Sequence, residues 1–105
     1  MARVLILEPD AELRRLFALQ LSSIGHEVAD DAGADPDLLL VEPASNAMFR
    51  RALGMRHARP DLPIVCVSIS EDTRIARDLA PSSFLVKPFP VDRLRAALAE
   101  ALAPV

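Results

Sequence analysis

Apolar residues in this chain fall in short unbroken runs: Val4–Leu7 (VLIL), Leu38–Val41 (LLLV) and Ile64–Val67 (IVCV). Four consecutive apolar residues bounded by turn formers mark a strand covered on both faces, because a strand with one wet face would alternate. His26–Ala29 and Ser83–Val86 read as two further strands. The stretches between them have helical spacing. Leu13, Leu16, Phe17, Leu21 and Ile24 share one face of a first helix, with Asp10 as N-cap and Gly25 just past its end. A helix over Ser45–Arg56 turns Met48, Phe49, Ala52 and Leu53 inward, and Ser70 caps a short helix carrying Ile75 and Leu79. A last helix, Val91–Ala103, carries Leu94, Leu98 and Leu102 and is closed by Pro104. Strands alternating with helices imply a parallel sheet covered on both faces, and 105 residues suffice for one such domain, residues 1–105.

Composition removes several functions. The net charge of −3 argues against nucleic-acid binding, which needs a basic footprint. The single cysteine, Cys66, forms no internal disulfide or Cys-based zinc site, and inside an apolar strand it reads as an inert thiol. His26 and His57 are isolated, and there is no G-x-S-x-G nucleophile turn. With glycine only at 25, 33 and 54 there is no glycine-rich phosphate loop, which leaves a nucleotide- or small-ligand-binding domain as a weak alternative. The first apolar run is broken at Glu8, too early for a signal peptide or membrane span, so a cytoplasmic protein is expected.

A parallel sheet of this kind gathers its functional groups at the carboxyl ends of the strands. Four chemistry-bearing residues stand there: Glu8, Glu42, Ser68 and Lys87. Lys87 is the only lysine among twelve basic residues. Two carboxylates, one hydroxyl and one amine are expected to converge, with Lys87 pairing Glu42 and reaching Glu8.

In VLILEPDAELRRL, PDLLLVEP, LPIVCVS and FLVKPF the chain resembles, over its whole length, the receiver domains of bacterial two-component response regulators. The resemblance implies a CheY-like (flavodoxin-like) α/β fold, a doubly wound five-stranded parallel sheet in the order 2-1-3-4-5. It implies that Glu42 stands at the phosphoacceptor position and Glu8 and Pro9 at the acidic pair. Ser68 and Lys87 stand at the phosphate-contact positions, Phe84 at the switch aromatic, and Lys87–Pro88 at a bond that is usually cis.

The departures are chemical. Mg²⁺ needs near-octahedral oxygen ligands, and Pro9 offers none at the direct ligand position. Glu42 carries one methylene more than aspartate, moving its carboxylate by roughly 1.5 Å. Phosphoryl transfer depends on positioning and charge neutralisation, so both changes oppose it. The expected protein is a degenerate stand-alone pseudo-receiver, not an enzyme, without Mg²⁺ or another cofactor, and Phe84 is plain packing. It acts by contact with a protein partner such as a signalling kinase or effector. A functional phosphoreceiver using Glu8, Asp10 and Glu42 is the first alternative; Glu42 as a mimic of the phosphorylated state is another reading.

Only nine residues, Ala29–Asp37, separate the second and third strands, where a helical crossover needs about ten to twelve. The second helix is expected to be missing or reduced, exposing an apolar patch near Val28 and Leu39. Arg50, Arg51, Arg56, His57 and Arg59 read as a solvated face, with a head-to-tail contact to Asp30, Asp31, Asp35 and Asp37 of another copy as a further reading. Arg74, Arg77 and Asp78 with Asp92, Arg93 and Arg95 place opposite charges on the fourth and last helices. Together with the fifth strand these are read as a homodimer face. No nucleic acid and no membrane partner are expected.

Overall fold

A computed structural model describes residues 2–29, 35–70 and 72–103. Its elements are β1 (Arg3–Leu7), α1 (Ala11–Ser23), β2 (Glu27–Ala29), β3 (Leu38–Val41), α2 (Asn46–Ala58), β4 (Ile64–Ser68), a 3₁₀ helix (Thr73–Leu79), β5 (Ser83–Val86) and α3 (Val91–Leu102). The strands form one parallel sheet in the order β2-β1-β3-β4-β5. This is the expected doubly wound α/β architecture. Among the described residues no helix is long and apolar enough to cross a membrane.

The unbroken apolar runs are explained by how each strand divides its residues. Val4, Ile6, Leu38, Leu40, Val65, Val67 and Leu85 face α1 and α3, where they meet Phe17, Leu21, Leu94 and Leu98. Leu5, Leu7, Leu39, Val41, Ile64 and Cys66 face α2 and the 3₁₀ helix, where they meet Ala52, Ala76 and Leu79. Successive side chains alternate between two dry faces, so every position is apolar. Register holds the layers level, with Leu5 opposite Leu39, Leu39 opposite Ile64, and Val41 opposite Cys66.

The helix ends follow local chemistry. Asp10 caps α1 by accepting from the Glu12 and Leu13 N–H groups, and Gly25 follows with φ +91°, a conformation that favours glycine. Ser45 Oγ accepts from Met48 N and starts α2.

Five expectations are corrected. Ser70 does not cap the helix after β4; Asp72 does, accepting from Arg74 N, while Ser70 Oγ accepts from Asp72 N one step earlier. That helix is 3₁₀, whose period of three aligns Ala76 with Leu79 and leaves Ile75 at the surface. Leu16 is exposed, since α1 packs chiefly through Phe17 and Leu21. The apolar patch expected at Val28 and Leu39 is not formed. Leu39 is fully buried on the α2 side, and Val28 packs on the opposite, α1 side. Of the acidic residues expected to meet another copy, Asp35 pairs instead with Arg59 of the same chain at 2.8 Å. Among the described residues no helix lies between β2 and β3; Asp30, Asp31 and the rest of residues 30–34, on which the expected reduced crossover mainly falls, lie outside them.

Candidate functional site

Each strand that enters the site continues one backbone hydrogen bond past its regular end. Glu42 N donates to Leu7 O at 2.9 Å, and Lys87 N donates to Ser68 O at 2.8 Å. Those bonds hold Glu8, Glu42, Ser68 and Lys87 at one edge of the sheet. Their side chains are out of water: Glu8 is 2% exposed, Glu42 7% and Ser68 0%.

Lys87 Nζ lies 2.6 Å from Glu8 Oε1 and 2.8 Å from Glu42 Oε2. The second oxygen of each carboxylate is used as well. Glu8 Oε2 accepts from Asp10 N at 3.1 Å, and Glu42 Oε1 accepts from Ala44 N at 2.9 Å. Buried charges survive only when paired and hydrogen-bonded in this way. Burial is the largest influence on Lys87 and pulls its pKa down. The hydrogen bonds and charges of Glu42 and Glu8 outweigh it, and the net shift is upward. The amine also lies 5.8 Å from the centre of the Phe17 ring.

The remaining residues divide clearly. Ser68 Oγ accepts from Ser70 N at 3.3 Å. Asp10 stays at the surface with Oδ1 committed to capping α1. Pro9 is exposed and offers no side-chain ligand atom. Phe84 packs into the α2-side core. The Lys87–Pro88 bond is cis. Cys66 is buried, and burial followed by the nearby Glu42 charge pushes its thiol up to about 12.

A divalent ion between Glu8 and Glu42 would compete with an ammonium already there, and its expected third carboxylate, Asp10, is turned to a helix end. Glu8, Asp10 and Glu42 are not drawn together as a metal-binding trio; among the described residues no group of three or more His, Cys, Asp or Glu side chains is placed to hold an ion.

No family profile and no curated protein matches the chain. Solved structures match closely in shape. NtrX from Brucella abortus superposes with a TM-score of 0.83 at 23% identity, over 96% of this chain and 27% of that one. The Vibrio cholerae chemotaxis protein CheY4 gives 0.83 at 22% identity, over 97% and 99%. The Thermotoga maritima response regulator TrrA, in complex with Mg(2+)-BeF, gives 0.82 at 19% identity, over 97% and 100%. The chain has the CheY-like receiver fold. It spans about a quarter of the length of NtrX, 27%, and nearly all of CheY4 and TrrA.

Within the receiver fold, sequence reasoning missed one residue of consequence. Arg56, read as part of a solvated basic face, donates from Nε to Leu79 O at 2.8 Å and from Nη1 to Pro60 O at 2.7 Å. It ties the end of α2 to the end of the 3₁₀ helix. Its lone i, i+4 distance from Pro60 was the available signal, because an arginine near a helix C-terminus can satisfy carbonyls there.

Proposed function

We propose that this receiver-fold chain is a signalling domain of the two-component class that works by binding a protein partner and transfers no phosphoryl group. It acts in the cytoplasm on a kinase or effector, is not an enzyme, and uses neither Mg²⁺ nor another cofactor. One observation carries the reading: the Lys87 ammonium bridges Glu8 and Glu42, with proline beside them where a metal ligand would be needed. An ammonium so placed neutralises charge that Mg²⁺ would otherwise neutralise. Three charged groups sum to one negative charge, which repels a phosphoryl donor.

The face made by the 3₁₀ helix, β5 and α3 is a candidate homodimer surface. Exposed Arg74 pairs with Asp72 at 2.9 Å and Arg95 with Asp92 at 3.4 Å, so each element carries both signs. Light scattering at high concentration tests it: a dimer supports the face and a monomer removes it. For the main reading, the chain is incubated with acetyl phosphate or beryllofluoride plus Mg²⁺. Unchanged mass and unchanged amide spectra are expected. A covalent phosphoryl adduct, or a beryllofluoride complex at Glu42, overturns the proposal.

A further inference from the structure

Among the described helices, α2 alone carries charge of one sign. It has no acidic residue, and Arg50, Arg51, Arg56 and His57 lie on it, with Arg59 at its C-cap. On a chain of net charge −3 this is a local reversal. The basic groups divide by what they touch. Arg56 is spent on the carbonyls of Leu79 and Pro60, and Arg59 on Asp35 and the Pro36 carbonyl. Arg50, Arg51 and His57 stand in water, and none of the three forms an ion pair among the described residues. No acidic residue lies three or four positions from Arg50 or Arg51, so the helix itself supplies no counter-charge.

Between the two arginines the helix has no side chain. Gly54 lies at the centre of the outer face of α2. At 3.6 residues per turn, Arg50 falls about 40° to one side of it and Arg51 about 60° to the other, with His57 on the Arg50 side. Ala47 and Ala58, both exposed, lie near the same line one or two turns away. Glycine inside an exposed helix weakens it relative to alanine. Nothing within the molecule requires it here: a Cβ at Gly54 would meet no atom within 4 Å, and its φ is not in the positive region. The missing side chain clears space on the solvent side alone, where it lets another chain approach the helix backbone between the arginines.

We propose that this face of α2 docks an acidic segment of a partner protein, the segment lying over Gly54 with its carboxylates on Arg50 and Arg51. A guanidinium holds a carboxylate through two parallel N–H donors, so arginines on opposite sides of a small-residue floor suit acidic side chains on both sides of one segment. Nucleic acid suits the face less. Single strands use aromatic side chains to stack on, and Phe49, the only phenylalanine of α2, is packed against the core. A second copy cannot present the same helix across a two-fold axis, since arginine would face arginine. The proposal rests on the reading that the chain works through protein contact, and it places that contact on α2.

The test is a titration of a synthetic helical peptide of glutamate and alanine into isotope-labelled protein, followed by amide chemical shifts. Dilute salt is used, where exposed charges are least screened, and the control is the same peptide with glutamine for glutamate. Saturable shifts are expected at Ala47, Arg50, Arg51, Gly54, His57 and Ala58 with the glutamate peptide and none with the glutamine peptide. Arg50→Ala and Arg51→Ala should each weaken binding about three-fold, the value of one exposed ion pair. Gly54→Gln gives the decisive contrast. It should raise the thermal midpoint of the free chain, because glutamine is the better helix former, and weaken binding about ten-fold, because its side chain fills the floor. Binding unchanged in Gly54→Gln, shifts centred away from α2, or an equal response to the glutamine peptide overturns the proposal. So does tighter binding of a single-stranded RNA, or the same shifts on concentrating the chain alone. A phosphoryl adduct at Glu42 would overturn the parent reading and leave these titrations unchanged, so the two failures are distinguishable.

Discussion

The Lys87 ammonium lies 2.6 Å from Glu8 Oε1, joining the ends of β5 and β1 across 79 positions of sequence. Among the described residues, two oxygens lie close enough to balance its charge in this buried place, and both belong to glutamates. Lys87→Met is expected to remove about 3 kcal/mol or more from the unfolding free energy, because it leaves two buried carboxylates without a counter-charge. Glu8→Gln keeps an acceptor for Lys87 and should cost less. Urea titrations at neutral pH measure both; a loss under about 1 kcal/mol in Lys87→Met would mean that the network carries no weight in the fold.

The same amine gives an alkaline signature. Its pKa is raised in the folded chain, so the folded state holds the proton more tightly than the unfolded one. The corresponding stability is fully present below the unfolded value near 10.5 and is lost as pH rises through the higher folded value. Thermal unfolding followed upward from pH 9 should show a steeper decline for the unsubstituted chain than for Lys87→Met.

Restoring the missing chemistry is the sharper test of the site. Glu42→Asp withdraws the carboxylate by one methylene, and Pro9→Asp supplies a side-chain oxygen next to Glu8. The double variant should gain Mg²⁺-dependent binding of beryllofluoride, seen as saturable amide shifts around residues 8, 42, 68 and 87. Glu42→Asp alone should not, since Pro9 still withholds a ligand. Equal binding by the single variant would show that acceptor length, and not the metal site, is the decisive departure.

The sheet was legible because covered strands leave a direct trace: VLIL, LLLV and IVCV have no polar position to spare when both faces are dry. The pocket was legible because strand ends converge in a parallel sheet, which brings Glu8, Glu42, Ser68 and Lys87 together from their places in the sequence. What could not be read is how far each helical stripe is buried. The spacing of Leu13, Leu16, Phe17 and Leu21 gives the face of α1 but not its tilt, and Leu16 falls outside the contact. The 3₁₀ winding at Thr73–Leu79 was hidden for a related reason: Ile75 and Leu79 fit an α period, while Ala76 and Leu79 fit a period of three. The long-range bonds of Arg56 depend on the meeting of two chain segments, which a local pattern does not encode.

His26 gives the acid side of the stability curve. Its Nδ1 accepts from Ala2 N at 3.1 Å, and burial is the main cause of a pKa lowered from 6.5. The folded state therefore favours the neutral ring. Below pH 6.5 the unfolded chain takes up a proton before the folded one does, so stability falls as pH drops from 6.5 through the lower folded value. His26→Asn keeps an acceptor near the same place and cannot titrate in this range. The stability difference between the two proteins should change with pH between about 7 and 5; a constant difference would show that His26 does not couple protonation to folding.

Arg56 supplies the last prediction. Its guanidinium reaches Leu79 O at 2.8 Å and Pro60 O at 2.7 Å, with Ala80 O at 3.5 Å. These carbonyls end the 3₁₀ helix and the turn after α2, where the chain has no further helical N–H to satisfy them. Hydrogen bonds from a charged donor contribute about 1.5–3 kcal/mol each at most, and part of the Arg56 surface remains in water. Arg56→Ala is expected to destabilise by about 2 kcal/mol. Arg56→Lys should recover little of it, because one ammonium cannot serve carbonyls on two sides as a planar fork does. Hydrogen exchange locates the effect: protection should fall first at Leu62 and Ala80, whose N–H groups donate within the two turns that Arg56 braces. Full rescue by lysine would show that charge, and not fork geometry, holds these two segments together.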